Sequence, residues 1–413
     1  MTSAEQTRWV VEQARALGFD LCGVAAVEDF PELGRLPEWL ARGHAGEMGY
    51  MNDPRRRSPA RLLEGAKSLI VCALNYNTSL PYSTELPVDN TARGAQSPRG
   101  WISRYAWGDD YHRVLGHKLE ALVTVLRRHT AEEFQARVYV DTGPVVERVA
   151  AKYAGLGWLA KNTCLINEKL GSRLFLGVIV TTLELAPSLG RAEAPPPDLC
   201  GNCRLCLEAC PTGAIVEPYV LDARRCISYV TIELRGAIPV ELREAMGRHV
   251  FGCDICQDVC PWNRTAPATP LAAFQPRRIE QSAPLVEGEM DEFAPAHQQP
   301  THPVPDNLSA SLFTPSLEWL ASLSEEEFRA VFRDSAVKRT KWRGLVRNAC
   351  VALGNSGAKP GTAAHSRIVA LLARLAASDD AVVAEHARWA MARLNSAHAQ
   401  PPPSSPTAPV SRL

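Results

Sequence analysis

The cysteines of this 413-residue chain are concentrated between positions 200 and 260, which contain eight of its twelve. Four read C-x2-C-x2-C-x3-C-P, three read C-x2-C-x3-C-P, and one lies between the two runs. The first residues lack the apolar core of a signal peptide, and no segment approaches the ~18 apolar residues that span a bilayer. In the reducing cytoplasm, clustered cysteines indicate metal or redox chemistry rather than disulfides. We therefore predict a soluble, cytoplasmic protein without membrane contact that carries electrons.

The spacing of the two runs is the one that bacterial ferredoxins use for two 4Fe-4S clusters. In those proteins the fourth cysteine of a run binds the other cluster. The same crossed ligation predicts two sets here, and Cys226 supplies the ligand that the second run lacks. One cluster is then bound by Cys200, Cys203, Cys206 and Cys260. The other is bound by Cys210, Cys226, Cys253 and Cys256.

Zinc is the alternative to iron for such a cysteine-rich segment. Zinc sites usually pair two C-x2-C knuckles across a longer loop, and histidine is common among their ligands. Here three cysteines of each run lie two or three residues apart and a proline follows them. This pattern favours iron-sulfur clusters.

The charge of the chain is balanced, with 45 basic and 45 acidic side chains. Such a chain has no global attraction to polyanions, so any contact with nucleic acid must come from a local patch. One patch stands out between residues 329 and 347, where seven cations accompany one acid, Asp334. A run of charge is usually a solvated face, but this excess is also typical of a surface that binds a phosphate backbone.

The order of patterns along the chain predicts an α+β multidomain protein. Short β-branched strands alternate with helical segments over residues 1–190, which indicates an α/β domain. Residues 191–270 form the two-cluster ferredoxin-like domain, and the proline-rich residues 271–310 form an extended connector. Residues 311–396 show helical periodicity typical of a small HEAT-like stack. Residues 397–413, rich in proline and serine, are predicted to be disordered.

One acidic residue of the first domain stands in a position suited to chemistry. Asp141 follows a predicted strand at residues 138–140 and precedes a turn through Gly143 and Pro144. In α/β sheets, ligand sites gather at the carboxyl ends of strands. The alternative is that Asp141 only caps the next helix. No G-x-G-x-x-G or Walker sequence occurs, so no nucleotide cofactor is indicated.

Four blocks together resemble the epoxyqueuosine reductase family. They are ISRYAWGDDYH at 102–112, VDTGPVVER through GLGWLAKNT at 140–163, the cysteine runs with CISYVTIELRG and CDICQDVCPWN, and KRTKWRGLVRNACVALGN at 338–355. The cysteine runs alone would indicate only a ferredoxin-like domain, whereas the combination is specific. The resemblance covers nearly all of the chain except the connector and the tail.

The resemblance implies a cobalamin-dependent iron-sulfur enzyme, related to reductive dehalogenases, that performs the last step of queuosine synthesis in tRNA. Its first domain would hold base-off cobalamin, and two 4Fe-4S clusters would pass electrons to cobalt. The product forms when the epoxide of the wobble nucleoside is opened and water is lost. Asp141 matches the proton donor of the family, and we expect burial beside the apolar corrin and base surfaces to keep its carboxyl protonated.

The resemblance also implies the binding residues. The candidates for cobalamin contact are Arg104, Asp141, Asn162, Leu176, Ser228, Arg235 and Asp254. The candidates for contact with the anticodon stem-loop are Lys338, Arg339, Lys341, Arg343 and Arg347. We further expect a monomer that takes electrons from an external low-potential donor.

Two other functions are consistent with parts of the sequence. One is a cobalamin reductase of small molecules, similar to a reductive dehalogenase, but the chain has no twin-arginine export signal and such a substrate would not need the basic helical end. The other is an electron-transfer subunit with two clusters. That function would leave Asp141 and the large first domain unexplained.

Overall fold

The computed structural model describes residues 1–86, 97–190, 193–278 and 311–396. Most of the predicted connector, residues 279–310, and the predicted tail, residues 397–413, lie outside the described residues. Within the described ranges, no helix has both the length and the apolar composition that crossing a membrane requires.

Helices and strands alternate in the first part of the chain, and helices alone occupy the last. The strands of the described residues are β1 (Leu21–Ala26), β2 (Ser68–Asn75), β3 (Trp101–Ile102), β4 (Ala136–Tyr139), β5 (Trp158–Leu159), β6 (Leu165–Ile166), β7 (Leu174–Thr181), β8 (Ile215–Glu217), β9 (Val220–Leu221) and β10 (His249–Phe251). The α-helices of the same residues are α1 (Ser3–Ala16), α2 (Leu36–Ala41), α3 (Tyr111–His129), α4 (Glu147–Tyr153), α5 (Leu205–Glu208), α6 (Ile227–Ile232), α7 (Val240–Arg243), α8 (Ile255–Asp258), α9 (Leu317–Ser322), α10 (Glu325–Val331), α11 (Lys341–Gly354), α12 (Ala363–Ala376) and α13 (Ala381–Asn395). The predicted mixture of α and β structure is confirmed.

A four-stranded sheet organises the first domain, in the order β1-β2-β7-β4. Every neighbouring pair is antiparallel. The predicted position of Asp141 after the end of a strand is confirmed, and that strand belongs to an antiparallel sheet. Asp141 does follow β4, but its edge of the sheet combines the ends of β2 and β4 with the beginning of β7.

Alternating side chains of β2 cover both faces of this sheet, as a fully buried strand requires. Ile70 and Leu74 pack in the same core as α1 and α3. Val71 packs in a second core with α4. The amino end of α3 and the loop before α4 consequently meet at the edge where Asp141 lies.

The cysteine-rich segment is tied to the first domain rather than appended to it. Strand β10 pairs in parallel with β3, so His249 lies opposite Trp101. A second connection is an ion pair: Arg173, which directly precedes β7, pairs with Asp258 of α8 at 2.6 Å, and both side chains are fully buried. Removing either partner alone would leave a charge buried without its counter-ion.

The C-terminal helices pack on the cysteine-rich segment through α11. This helix contacts α9, α13 and β10, and its Arg347 and Asn348 are fully buried. Arg347 donates to the carbonyl oxygens of Val230, Leu234 and Gly236 at 2.6–2.9 Å. Arg347 therefore cannot contact a phosphate, and its assignment to the RNA surface is corrected to a structural role.

Arg347→Ala should lower the local free energy of unfolding around α11 by about 3–5 kcal/mol, because several buried carbonyls lose their donor and a cavity forms. Amide hydrogen exchange along α11 measures this effect. Arg343→Ala is the control: its guanidinium is 56% exposed and pairs with Asp380, so the change should cost no more than about 1 kcal/mol. Equal protection in the two variants would contradict the role of Arg347.

Candidate active site

The seven cysteines of the two runs and Cys226 come together in two groups. Cys206 interacts electrostatically with the other three members of its predicted set. Cys260, which belongs to the second run, interacts with Cys200 and Cys203 of the first. Cys256 interacts with the other three members of the second set, and also with Cys164. This arrangement agrees with crossed ligation.

The surroundings of the thiols include backbone groups that approach the sulfurs. In the described ranges, no three histidine, cysteine, aspartate or glutamate side chains close around one metal ion. In a 4Fe-4S cluster the four sulfur atoms do not need to meet at one metal ion, since each thiolate binds its own iron. Polar groups already approach the sulfurs: the backbone N–H of Ala214 lies 3.3 Å from Cys210 Sγ, and the backbone at Ser228 and Tyr229 hydrogen-bonds to Cys226.

Asp141 lies at the sheet edge in a left-handed backbone conformation, with φ of 57°. This region is uncommon for residues other than glycine, although aspartate and asparagine tolerate it. The side chain is 65% exposed. The hydroxyl of Tyr111 donates to Asp141 Oδ2 at 2.9 Å, and the Tyr111 ring stacks on Phe175 at 4.4 Å. The carboxylate is thus held by a packed aromatic side chain while it faces open space.

His112 connects Asp141 to a second carboxylate. Its Nε2 lies 3.4 Å from Asp141 Oδ2, a contact that does not meet hydrogen-bond geometry. Its Nδ1 lies 2.7 Å from Oδ1 of the buried Asp110. The other oxygen of Asp110 accepts from Lys338 Nζ at 2.6 Å. A continuous polar chain therefore runs from the C-terminal region to Asp141.

The charged and polar groups around Asp141 determine the pKa of its carboxyl group. Surrounding protein disfavours the carboxylate, but His112 and Tyr111 stabilise it more strongly, so the pKa of Asp141 is lowered. In the free protein the balance therefore favours the charged carboxylate, and protonation of Asp141 beside the corrin and the base stays a prediction. His112 shows the opposite balance: burial lowers its pKa, yet Asp110 and Asp141 together raise it to about 9.

Two of the residues expected to contact cobalamin are occupied by the protein itself. The guanidinium of Arg104 is buried and donates to carbonyl oxygens of residues 78–81. Asp254 is also buried and accepts from Trp101 Nε1 at 3.0 Å and from the backbone N–H of Arg104 at 2.8 Å. Both assignments are corrected, because these groups hold the segment after β3 against the second cysteine run.

The other candidates lie nearer to open space or to the cysteines. Asn162 donates to the carbonyl oxygen of Cys256 at 3.2 Å, and Ser228 follows Cys226 in α6. Arg235 is exposed and donates to the carbonyl oxygen of Arg339 at 3.1 Å. Leu176 is half-buried on the α4 face of the sheet.

The expected base-off cobalamin takes no ligand to cobalt from His112, and the surroundings of His112 agree with this. Both nitrogens of His112 face carboxylates, at 2.7 Å for Asp110 and 3.4 Å for Asp141. Nδ1 is bound to Asp110 and Nε2 is buried, so neither ring nitrogen faces open space in which cobalt could lie. Asp141, Asn162 and Ser228 remain available around a site that would adjoin the second cysteine set.

An open cavity of about 560 Å³ adjoins the Asp141 loop. It is lined by residues 49, 50 and 52–56 together with Thr142 and Pro144. Tyr50 is 45% exposed, and the Arg339 guanidinium lies 5.7 Å from its ring centre. A volume of several hundred Å³ is the size of a typical small-ligand site.

Most cations of the predicted RNA surface have acidic partners. Lys338 pairs with Asp110, Arg343 with Asp380, and Arg339 with Glu233 through two 3.0 Å hydrogen bonds. Lys341 is exposed and has no side-chain partner among the described residues. The sequence placed these cations correctly at one end of α11 but could not show their counter-ions, which lie far away along the chain.

Sequence reasoning did not assign Tyr111, His112 or Asp110 to the site. The available signal was local: Asp110 caps α3, and the DYH sequence places two polar rings in the first turn. Nothing in that sequence indicates that the turn faces Asp141, because the contact depends on how α3 packs against the sheet.

Comparison with known proteins identifies the family. Residues 56–142 match the family model described as epoxyqueuosine reductase QueG, DUF1730, and residues 199–263 match a 4Fe-4S double cluster binding domain. The epoxyqueuosine reductase of Gloeobacter violaceus is 42% identical over 355 residues, which cover 84% of this chain and 96% of the relative. The chain belongs to the epoxyqueuosine reductase family. The Escherichia coli member is 37% identical over 82% of this chain and 78% of its own length.

Solved structures of the family have the same fold. A crystal structure of epoxyqueuosine reductase with an epoxyqueuosine-modified tRNA-Tyr stem loop has a TM-score of 0.75 at 28% identity, covering 94% of this chain and 90% of the other. A Bacillus subtilis structure, with a catalytic aspartate loop swung out of the active site, has a TM-score of 0.73 at 27% identity and the same coverage.

Membership of the epoxyqueuosine reductase family confirms the predicted activity, which is reduction of epoxyqueuosine to queuosine. The match to a 4Fe-4S double cluster binding domain also confirms the predicted pair of 4Fe-4S clusters. The alternatives of a small-molecule reductase and an electron-transfer subunit are set aside.

Proposed function

We propose that Asp141 protonates the epoxide oxygen while this chain reduces epoxyqueuosine at the wobble position of tRNA. The observation that carries the proposal is the position of Asp141, which is exposed toward open space but held by Tyr111 at 2.9 Å. The catalytic aspartate loop of the B. subtilis relative supports the same role. Opening an epoxide leaves charge on oxygen, so a positioned acid lowers the barrier.

The cofactors are proposed to supply the reducing chemistry that the side chains cannot supply. When bound, cobalamin supplies a strongly reducing metal centre for the epoxide, and the clusters supply its electrons. The residues proposed to lie against the cofactor are Asp141, Asn162, Leu176, Ser228 and Arg235. Asn162 contacts Cys256 and Ser228 follows Cys226, which supports a short electron path from the second cysteine set to this site. Closure of the site by cofactor and nucleoside would shield Asp141 from water and raise its pKa.

The RNA is proposed to approach between the C-terminal helices and the cavity beside Asp141. Phosphate contacts would come from Lys338, Arg339, Lys341 and Arg343 of the predicted set, and HEAT-like packing of α11, α12 and α13 would hold them in place. Unstacked loop bases can bind aromatic and arginine planes, and the neighbouring Tyr50 and Arg339 provide both. The modified stem loop bound by a relative supports an anticodon stem-loop as the partner.

The proposal includes the wider setting of the reaction. The chain would act as a cytoplasmic monomer and take electrons from an external low-potential donor. The proposed domain limits remain 1–190, 191–270, 271–310, 311–396 and 397–413. The test is anaerobic turnover of stem-loop RNA carrying epoxyqueuosine, with reconstituted clusters, cobalamin and a low-potential reductant. Loss of one oxygen atom from the nucleoside, seen by mass spectrometry only with cobalamin, supports the function, and no conversion by loaded enzyme contradicts it.

Lys341→Glu should weaken binding of the stem-loop several-fold and reduce the salt dependence of binding by about one counter-ion, since a phosphate contact is lost. Titrations at several salt concentrations measure both quantities. Lys359→Glu makes the same charge change at another exposed lysine and should bind like the unaltered protein. Equal weakening by both variants would show a general charge effect instead of a contact at Lys341.

A further inference from the structure

We propose that His112 reprotonates Asp141 within each turnover, and that Asp110 and Lys338 position the imidazole for this proton transfer. The inference rests on the proposed role of Asp141 and extends it. It makes His112 a proton source for the reaction, and it gives Lys338 a role in positioning as well as its proposed place on the RNA surface.

The chemistry requires two protons. Reduction of the epoxide consumes two electrons and two protons: one carbon–oxygen bond breaks on opening, the second breaks when the oxygen leaves as water, and a carbon–carbon double bond forms. The clusters supply the electrons. A carboxyl holds one proton at a time, so Asp141 must be reprotonated between the two steps or share the work with another acid.

His112 is the group placed to do this. Its Nε2 lies 3.4 Å from Asp141 Oδ2 and has no hydrogen-bond partner in the described residues. A small shift would therefore make a hydrogen bond to Asp141. The opposite nitrogen is fixed to Asp110 at 2.7 Å, and Asp110 is in turn fixed by Lys338 at 2.6 Å. The pair orients the ring and stabilises the imidazolium.

The groups that face His112 favour its charged form. Asp110 and Asp141 contribute negative charge from two elements, and the ring of Tyr111 stacks on the imidazole at 4.1 Å. Lys338 opposes the imidazolium but is bound to Asp110. Although burial lowers the pKa of His112, the two carboxylates raise it to about 9. The imidazole thus carries a proton below about pH 9 and loses it above.

Glu147 is the competing acid. Burial, together with the charge on Asp141, raises the pKa of Glu147 to about 7. However, no hydrogen bond joins Glu147 to Asp141 in the described residues, and its Oε1 has no partner there. The continuous chain of contacts therefore favours His112.

The test compares pH dependence in the anaerobic holoenzyme. Single-turnover rates with the stem-loop should fall as pH rises through about 9. Deuterium exchange at the C2 position of His112, read by mass spectrometry, should titrate at the same pH. In Asp110→Asn, loss of one negative charge should move both midpoints down together, toward the ordinary value of 6.5. His112→Gln should slow turnover on the order of 10²-fold.

The controls separate the possible results. His117→Gln alters an exposed histidine of the same helix and should leave rate and profile unchanged. If Asp110→Asn shifts the exchange midpoint but not the rate profile, the relay is overturned while the role of Asp141 stands. If Glu147→Gln removes the pH limb instead, the acid that reprotonates Asp141 is Glu147. A wild-type rate in Asp141→Asn would overturn the proposed function itself.

Discussion

Asp141→Asn is expected to lower turnover by about 10²–10⁴-fold, the usual contribution of a positioned general acid. The amide has nearly the shape of the carboxyl, tolerates the left-handed backbone at this position, and can still accept from Tyr111. It cannot donate the proton that the epoxide oxygen needs. Single-turnover rates with epoxyqueuosine-containing stem-loop RNA measure the loss.

The same preparation should keep its clusters and cobalamin, which iron analysis and the visible spectrum report. Asp109→Asn makes the same chemical change at an exposed neighbour of α3 and should turn over normally. Loss of cobalamin from Asp141→Asn would mean that turnover falls because the cofactor is lost, and not because the proton donor is lost. An unchanged rate would remove Asp141 from the reaction.

The second large effect is expected from Cys260→Ala, which should abolish turnover and lower bound iron from about eight to about four atoms per chain. The reason is that one ligand of one cluster is lost while the other cluster keeps its set. Iron content and the paramagnetic resonance of the reduced protein follow this change.

Double variants test which cysteines share a cluster. Cys203→Ala together with Cys260→Ala should lose no more iron than either change alone, because both residues belong to one set. Cys256→Ala together with Cys260→Ala should lose nearly all of it. The reverse pattern would mean that each run binds its own cluster without crossing. Cys22→Ser, outside both sets, should retain full iron.

Local patterns in the sequence predicted local structure well. The short apolar, β-branched pattern that predicts strands occurs at residues 174–181, and these residues form β7. Helical periodicity over 311–396 corresponds to α9 through α13. Cysteine spacing predicted the double-cluster domain, since the ligands of such clusters are close together along the chain. In these cases the determining contacts are short-range.

The remaining features depend on contacts between distant segments. An apolar strand has the same pattern in parallel and antiparallel sheets, so the topology around Asp141 could not be predicted. Arg347 has the sequence context of a basic surface, yet it is fully buried because carbonyl oxygens of α6 and the following loop meet it. The contacts of His112 with Asp110 and Asp141 form only when α3, β4 and Lys338 converge.

The parallel pairing of β10 with β3 also bears on how such a chain could be re-engineered. The cysteine-rich segment cannot be exchanged as an independent unit, because its strand β10 pairs with β3, which lies much earlier in the sequence. A graft from another ferredoxin would need to reproduce β10, the Asp254 acceptor and the carbonyls that Arg347 engages. Redox tuning of this scaffold is therefore best attempted by point substitutions around the cysteine loops.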